Sequence, residues 1–172
     1  MHGQRLTVPV SERDHIRGSL RAAKILLEYG DYQCPYCGSA HQVVTALQQR
    51  LGDRLCFAFR NFPLTEVHSY AEQAAEAVEA AGTQGKFWEM HDLVFANQDA
   101  LELEELAEYA ATLGLDMRRF TSEIEGGTHL ARVGQDFESG VRSGVDGTPT
   151  FFINNVKYEG SDDFETLLAA LT

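Results

Sequence analysis

Two cysteines separated by two residues are the part of the sequence best suited to chemistry. They are Cys34 and Cys37, in the stretch QCPYCG. An apolar segment precedes them and apolar residues follow at steps of three and four, so the pair is expected at the start of a helix. Backbone N–H groups at a helix start stabilise an anion and can lower a thiol pKa from about 8.5 to about 3.5–7.5. The spacing therefore favours thiol–disulfide exchange, with Cys34 as the attacking thiolate and Cys37 as the resolving thiol.

Zinc binding is the main alternative for these cysteines. His41 extends them to a C-x2-C-x3-H pattern, and His68 could supply a fourth ligand. Structural zinc sites usually draw their ligands from two spaced pairs, and this chain has a single cysteine pair. The third cysteine, Cys56, lies in an apolar segment and is expected to be a buried core residue. We therefore prefer redox exchange and predict no metal site.

The composition of the whole chain limits its partners. It has 172 residues, 44% of them hydrophobic, and a formal net charge of -12. This apolar content suits a folded core, and the negative charge argues against nucleic acid or anionic lipid as a partner. No run of 18 apolar residues is present, so no membrane span is predicted. The N-terminus lacks the apolar region of a signal peptide, so we expect a cytoplasmic location, or a periplasmic one if the chain comes from a processed precursor.

The order of apolar periods and turn residues predicts an α/β chain. Residues 1–20 read as a polar N-terminal arm, with a short edge strand at Leu6–Val8. A strand at Ala22–Tyr29, a helix from Pro35 to Leu51 and a strand at Leu55–Phe62 form a parallel unit with a right-handed crossover. Later predictions are a helix at His129–Ser143, strands at Thr150–Ile153 and Val156–Tyr158, and a helix at Phe164–Leu171.

After the strand at Leu55–Phe62, the sequence shows helical periodicity up to about residue 128. We therefore predict that residues 65–128 form an inserted helical domain. Residues 21–64 and 129–172 would form the α/β domain into which it is inserted.

Three segments of this pattern together resemble the DsbA-like branch of the thioredoxin superfamily. They are ILLEYGDYQCPYCGSAH (residues 25–41), GKFWEMHDLVFANQ (Gly85–Gln98) and GVDGTPTFFINNVKYEG (Gly144–Gly160). The resemblance covers about residues 20–172. It implies a thioredoxin fold, which is a central mixed sheet flanked by helices, with the helical domain inserted.

The resemblance also implies roles for residues other than the cysteines. Thr148 and Pro149 match the cis-proline site, whose backbone can pair with an extended substrate segment. Glu28 matches the buried acid beneath the active site, whose raised pKa lets it take the proton of the resolving thiol. Pro35 and Tyr36 separate the cysteines and tune their redox poise, and we expect Tyr36 to contact substrate or glutathione.

The sequence thus predicts a protein disulfide oxidoreductase that exchanges disulfides with protein or glutathione thiols. Its redox group would be the cysteine pair, with no cofactor, and glutathione is a candidate co-substrate. Such a cycle needs a redox partner, which the sequence does not identify, and the direction of electron flow stays open. Two alternatives also stay open: a glutathione-dependent transferase or isomerase of the kappa-like branch, which normally lacks the cysteine pair, and a redox-inactive peptide-binding or chaperone module.

Overall fold

The computed structural model describes residues 3–172 of the chain. Its strands are β1 His15–Arg17, β2 Lys24–Gly30, β3 Leu55–Asn61, β4 Thr150–Ile153 and β5 Val156–Lys157. Its helices are α1 Pro35–Leu51, α2 Ala71–Gly82, α3 Phe87–Phe95, α4 Leu103–Thr112, α5 Met117–Glu125, α6 Leu130–Arg142 and α7 Phe164–Leu171. Except for β1, the elements outside residues 65–128 lie within two residues of their predicted bounds, and α2 to α5 lie within 65–128.

A mixed sheet with the strand order β1-β3-β2-β4-β5 forms the centre of the fold. β2 and β3 are parallel and are connected through α1, whereas the other neighbours are antiparallel. β2 is the middle strand, and it is buried from Leu26 to Gly30. The turn that carries both cysteines therefore leaves the carboxyl end of the central strand. The predicted α/β class, with a mixed sheet flanked by helices, is confirmed.

The N-terminal arm forms its strand at a different place from the one predicted. Leu6–Val8 is not a strand, and β1 instead pairs antiparallel with β3. The indole N–H of Trp88 donates to the carbonyl of Ile16, and the Arg17 guanidinium lies over the same indole ring. These contacts join residues that are 71 or 72 positions apart, so the local sequence pattern could not reveal them.

The helices between β3 and α6 share a hydrophobic core with the sheet. Because side chains alternate along a strand, Leu26 and Glu28 face one side of the sheet and Leu27 and Tyr29 face the other. Leu26 belongs to a large cluster with buried residues of α1, α2, α3 and α4, and Leu27 and Tyr29 belong to a smaller cluster on the opposite face.

The regular elements from α2 to α5 are all helices, and the limits of this region as a separate domain remain a prediction. No helix among residues 3–172 combines the length and apolarity that a membrane crossing requires.

Candidate active site

Cys34 is the residue immediately before α1, and Cys37 lies in the first turn of that helix. Cys34 has extended backbone angles (φ -67°, ψ 122°), and Pro35 takes the first helical position, where the missing N–H costs nothing. Both cysteines are free thiols with little exposed surface, whereas the side chain between them that points outward, Tyr36, is 73% exposed. The turn therefore presents Tyr36 to solvent directly beside the two sulfurs.

The surroundings drive the pKa values of the two thiols apart. The hydrogen bond from the Cys37 side chain, together with the N–H groups of Cys37 and Tyr36, lowers the pKa of Cys34 to about 5 against the opposing effect of burial. Burial raises the pKa of Cys37, and the hydrogen bond to Cys34 and the charge of Glu28 raise it further. At neutral pH, Cys34 is therefore a thiolate and Cys37 remains a protonated thiol.

Glu28 lies on the central strand and is 1% exposed. Its Oε1 has no hydrogen-bond partner. Burial, followed by the negative charges of Cys34 and Asp162, raises the pKa of Glu28 to about 8. A carboxyl group with such a pKa can exchange a proton near neutral pH. Its charge also raises the pKa of the Cys37 thiol, and proton transfer between the two groups stays a prediction.

The loop before β4 closes the other side of the cysteine turn. The Thr148–Pro149 peptide bond is cis. The carbonyl oxygen of Thr148 lies 3.6 Å from the sulfur of Cys34, although the two residues are 114 positions apart. A groove of about 350 Å³ begins at Pro149 and continues along Phe151. The structure thus brings the Thr148–Pro149 bond close to Cys34, and its role in substrate binding stays a prediction.

Two further side chains hold the cysteine turn from opposite sides. The carboxylate oxygen Oδ1 of the buried Asp31 accepts the N–H groups of Gln33 (2.8 Å) and Cys34 (3.1 Å). The backbone N–H of Asp31 points to the sulfur of Cys37 at 3.4 Å. On the other side, Nε2 of Gln98 donates to the carbonyl oxygens of Tyr32 (2.9 Å) and Cys34 (2.8 Å). The backbone of the turn is therefore held at its N–H groups by Asp31 and at its carbonyl oxygens by Gln98.

The family of this chain follows from its match to a known family model. Residues 10–172 match the family model described as thioredoxin. The chain belongs to the thioredoxin family. Among solved structures, it resembles BdbD from Bacillus subtilis with a TM-score of 0.84 and 20% identity, over 99% of this chain and 95% of that one. It also resembles alpha-DsbA1 from Wolbachia pipientis, with a TM-score of 0.82 and 21% identity over 96% and 92% of the two chains.

A third solved structure of this thioredoxin fold is MdbA from Corynebacterium diphtheriae, whose description is a thiol-disulfide oxidoreductase. Its TM-score is 0.75 and its identity is 18%, over 95% of this chain and 92% of that one. At these identities, the likeness establishes the fold. The predicted thioredoxin fold of the DsbA-like type is therefore confirmed, and the activity has to be argued from the residues.

The curated relatives of this chain are named as Na(+)/H(+) antiporters and not as thioredoxins. The Na(+)/H(+) antiporter NhaA 1 of Salinispora arenicola is 45% identical over 168 residues, which is 97% of this chain and 26% of that protein. NhaA 1 of Mycobacterium sp. (strain KMS) is 40% identical over 98% of this chain and 28% of that protein. This thioredoxin-family chain thus spans about a quarter of the length of the curated relatives it matches.

The histidines considered as zinc ligands do not meet at the cysteines of this thioredoxin fold. His68 contacts Asp31, with 2.8 Å between its Nδ1 and the carboxylate oxygen Oδ2. His41 stacks on Phe95. Cys56 lies buried in β3, as predicted. The cysteine pair and the two histidines therefore do not form one ligand set.

One other group of side chains within residues 3–172 has the spacing of metal ligands, and it contains no cysteine. It consists of His41, His91 and Asp92. Its members already have protein partners: the Tyr32 hydroxyl lies 2.8 Å from Nδ1 of His91, and the carboxylate of Asp92 accepts two hydrogen bonds from Arg17. An arginine in contact with a ligand carboxylate opposes cation binding, so we assign no metal to this group.

Asp31 and Gln98 hold the cysteine turn but were not predicted as part of the site. Asp31 follows the central strand directly and precedes Cys34 by three residues, which is a signal for a turn-capping carboxylate. Gln98 is the last residue of the segment Gly85–Gln98 that resembles the DsbA-like branch. Its hydrogen bonds to the cysteine turn cross 64 and 66 sequence positions.

Proposed function

We propose that this chain is a DsbA-like protein disulfide oxidoreductase that exchanges disulfides with protein thiols through Cys34 and Cys37. The observation that carries the proposal is the arrangement of a thiolate at a helix start with a protonated thiol one turn away. The pKa of Cys34 is lowered to about 5, whereas that of Cys37 is raised. A structural cysteine pair has no need for this difference, but thiol–disulfide exchange requires it.

In the reducing direction, the Cys34 thiolate attacks one sulfur of a substrate disulfide. The substrate S–S bond breaks, the far sulfur leaves as a thiolate that takes up a proton, and a mixed disulfide forms on Cys34. Glu28 accepts the proton of Cys37, whose sulfur then attacks Cys34 and releases the second substrate thiol. The substrate gains two electrons and the pair becomes a disulfide. The same steps in reverse oxidise a substrate dithiol.

We propose that substrate binds as an extended segment along Pro149. An extended chain can form backbone hydrogen bonds with the edge of such a loop, which is a form of strand addition. Tyr36, between the two cysteines in the sequence, offers an exposed aromatic ring. Protein thiols are the proposed substrates, no cofactor besides the cysteine pair is included, and glutathione is the small thiol to test as a co-substrate.

The test is equilibration of the reduced chain in glutathione buffers, followed by acid trapping and a count of alkylated cysteines by mass. We expect one two-electron transition that is lost in Cys34→Ser and retained in Cys56→Ser. Without a transition, the redox proposal would be wrong. Peptide-binding activity that then survives in Cys34→Ser would support the chaperone alternative. Retention of both cysteines already weighs against the kappa-like transferase.

The measured potential also gives the direction of electron flow. A value above about -180 mV indicates an oxidant or isomerase, and a value below about -230 mV indicates a reductase. The expected cytoplasmic location requires the lower value, and the periplasmic alternative requires the higher one.

We also propose a Na(+)/H(+) antiporter as a candidate for the redox partner or for one of the protein substrates. The observation in its favour is the relative of that name from Salinispora arenicola, which contains a region 45% identical to this chain. The variant Cys37→Ala cannot resolve the mixed disulfide and would retain its partner on Cys34. We expect mass spectrometry of complexes trapped in membranes to identify an antiporter cysteine. Trapping of other proteins alone would refute this candidate.

A further inference from the structure

Asp31 connects the cysteine turn to the loop between β3 and α2. While its Oδ1 binds the turn, its other oxygen, Oδ2, accepts the backbone N–H of Leu64 at 2.8 Å and lies 2.8 Å from Nδ1 of His68. All four partners are nitrogens, three of them backbone N–H donors. This is the environment of an ionised carboxylate, in which Nδ1 of His68 is also a donor.

An ionised carboxylate at this position creates an electrostatic conflict. It is hydrogen-bonded to the N–H of Cys34, and a negative charge so near a thiol opposes formation of the thiolate. His68 is the one side chain among residues 3–172 that pairs with Asp31 as a potential cation. Its ring is 20% exposed, so protons can reach it from solvent.

We infer that His68 is a positioning residue that, in its protonated form, neutralises Asp31 and thereby stabilises the Cys34 thiolate. His68 does not touch the sulfur, and it acts through the carboxylate. The inference rests on the proposed function, because it assigns to His68 the adjustment of the same redox pair. It also gives the β3–α2 loop a function beyond connecting two elements.

The same loop has a structural link to the turn, which the test must separate from the charge. The backbone N–H of Tyr70 donates to the side-chain oxygen of Gln33 at 2.8 Å. Loss of His68 could therefore disturb the turn without any electrostatic effect. His68→Gln keeps a hydrogen-bond donor for Asp31 and removes only the positive charge.

The experiment compares the Cys34 pKa, from the ultraviolet absorbance of the thiolate, and the redox equilibrium with glutathione in the wild type and His68→Gln. We expect the pKa of Cys34 to rise by about one unit because Asp31 loses its counter-charge. The equilibrium should shift about tenfold toward the disulfide, which is a potential about 30 mV lower. His15→Gln is the matched control, since its ring is also 20% exposed and contacts a buried carboxylate, Glu79, at 2.7 Å.

A double-mutant comparison separates charge from loop structure. In an Asp31→Asn background, we expect His68→Gln to change neither the Cys34 pKa nor the redox equilibrium. If His68→Gln shifted the Cys34 pKa equally in both backgrounds, or did not shift it in the wild-type background, the inference would be wrong. If Asp31→Asn does not fold, His68→Lys replaces it: a permanent cation should leave the Cys34 pKa at or below the wild-type value, and a rise would overturn the inference. A wild-type chain without a two-electron transition would refute the proposed function, whereas the pKa comparison would still decide the role of His68.

Discussion

The side-chain nitrogen of Gln98 lies 2.8 Å from the carbonyl oxygen of Cys34. Gln98 belongs to the segment between α3 and α4, in the all-helical region, and the carbonyl belongs to the turn that carries both cysteines. The helical region therefore does more than extend the core, because one of its side chains fixes the backbone of the cysteine turn.

Replacement of Gln98 by alanine should loosen that turn. Two carbonyl oxygens lose their donor, so we expect a loss of about 1–3 kcal/mol in the free energy of unfolding and a changed rate of reaction of Cys34 with a disulfide dye. Gln73→Ala is a matched control, since Nε2 of Gln73 donates to the carbonyl of Leu101 at 2.8 Å, away from the cysteines. It should lose stability without a change in the dye rate. Equal dye rates for the wild type and Gln98→Ala would contradict the role of Gln98.

Gly38 leaves the space that Gln98 occupies. A Cβ atom at this position would lie 2.1 Å from Oε1 of Gln98, so Gly38→Ala should displace that side chain and reproduce the dye rate of Gln98→Ala. In a Gln98→Ala background, the space is free and Gly38→Ala should add no further change. Gly134→Ala, at an α6 position with no atom within 4 Å, should leave the dye rate unchanged. Additive effects of Gly38→Ala and Gln98→Ala would show that the two residues act separately.

The alkylation rate of Cys34 should report its lowered pKa. Because that pKa is about 5, the thiolate fraction is nearly complete from about pH 6 upward and falls about tenfold per pH unit well below pH 5. We expect an iodoacetamide rate that is flat between about pH 6 and pH 8, whereas the rate of free glutathione, measured in parallel, should fall steadily as the pH is lowered from about 8 to about 6. A Cys34 profile that follows glutathione would contradict the assignment of Cys34 as the activated nucleophile.

Glu28→Gln should remove a pH-dependent loss of stability. The pKa of Glu28 is about 8 in the folded chain and about 4.5 in the unfolded chain, so between these values the folded state binds more protons. The free energy of unfolding of the wild type therefore falls as pH rises through this window, by about 3 kcal/mol at pH 7. Denaturant unfolding should show Glu28→Gln gaining stability over the wild type as pH rises from about 4 to about 8.

The same variant should also resolve its mixed disulfide more slowly, because Cys37 loses its proton acceptor. Glu104→Gln, at an exposed position in α4, is the control and should show neither effect. If the stability difference between Glu28→Gln and the wild type does not depend on pH, Glu28 does not titrate in this window. Its role as the proton acceptor would then be wrong.

The local sequence pattern was sufficient to predict most of the architecture and the position of the cysteine pair. Apolar periodicity, Pro35 at the helix start and the glycines that end helices are features of neighbouring residues, and they predict the strands, the helices and the place of Cys34 at a helix start. The resemblance of three segments then indicated Glu28, Thr148 and Pro149. The exception among the elements was β1, whose position depends on contacts with Trp88 in α3.

Tertiary structure alone decided what surrounds the reactive pair. The sequence by itself determined that Cys34 and Cys37 share the first turn of a helix, since that needs only adjacent residues. The contact of Cys34 with Thr148, and the binding of the turn by Gln98, join positions separated by 114 and 64 residues. His68 likewise reaches Asp31 across 37 positions. Such contacts follow from the packing of the whole chain, and no local period encodes them. The lowering of the Cys34 pKa by Cys37 is local, whereas the burial that raises the Cys37 pKa follows only from the folded structure.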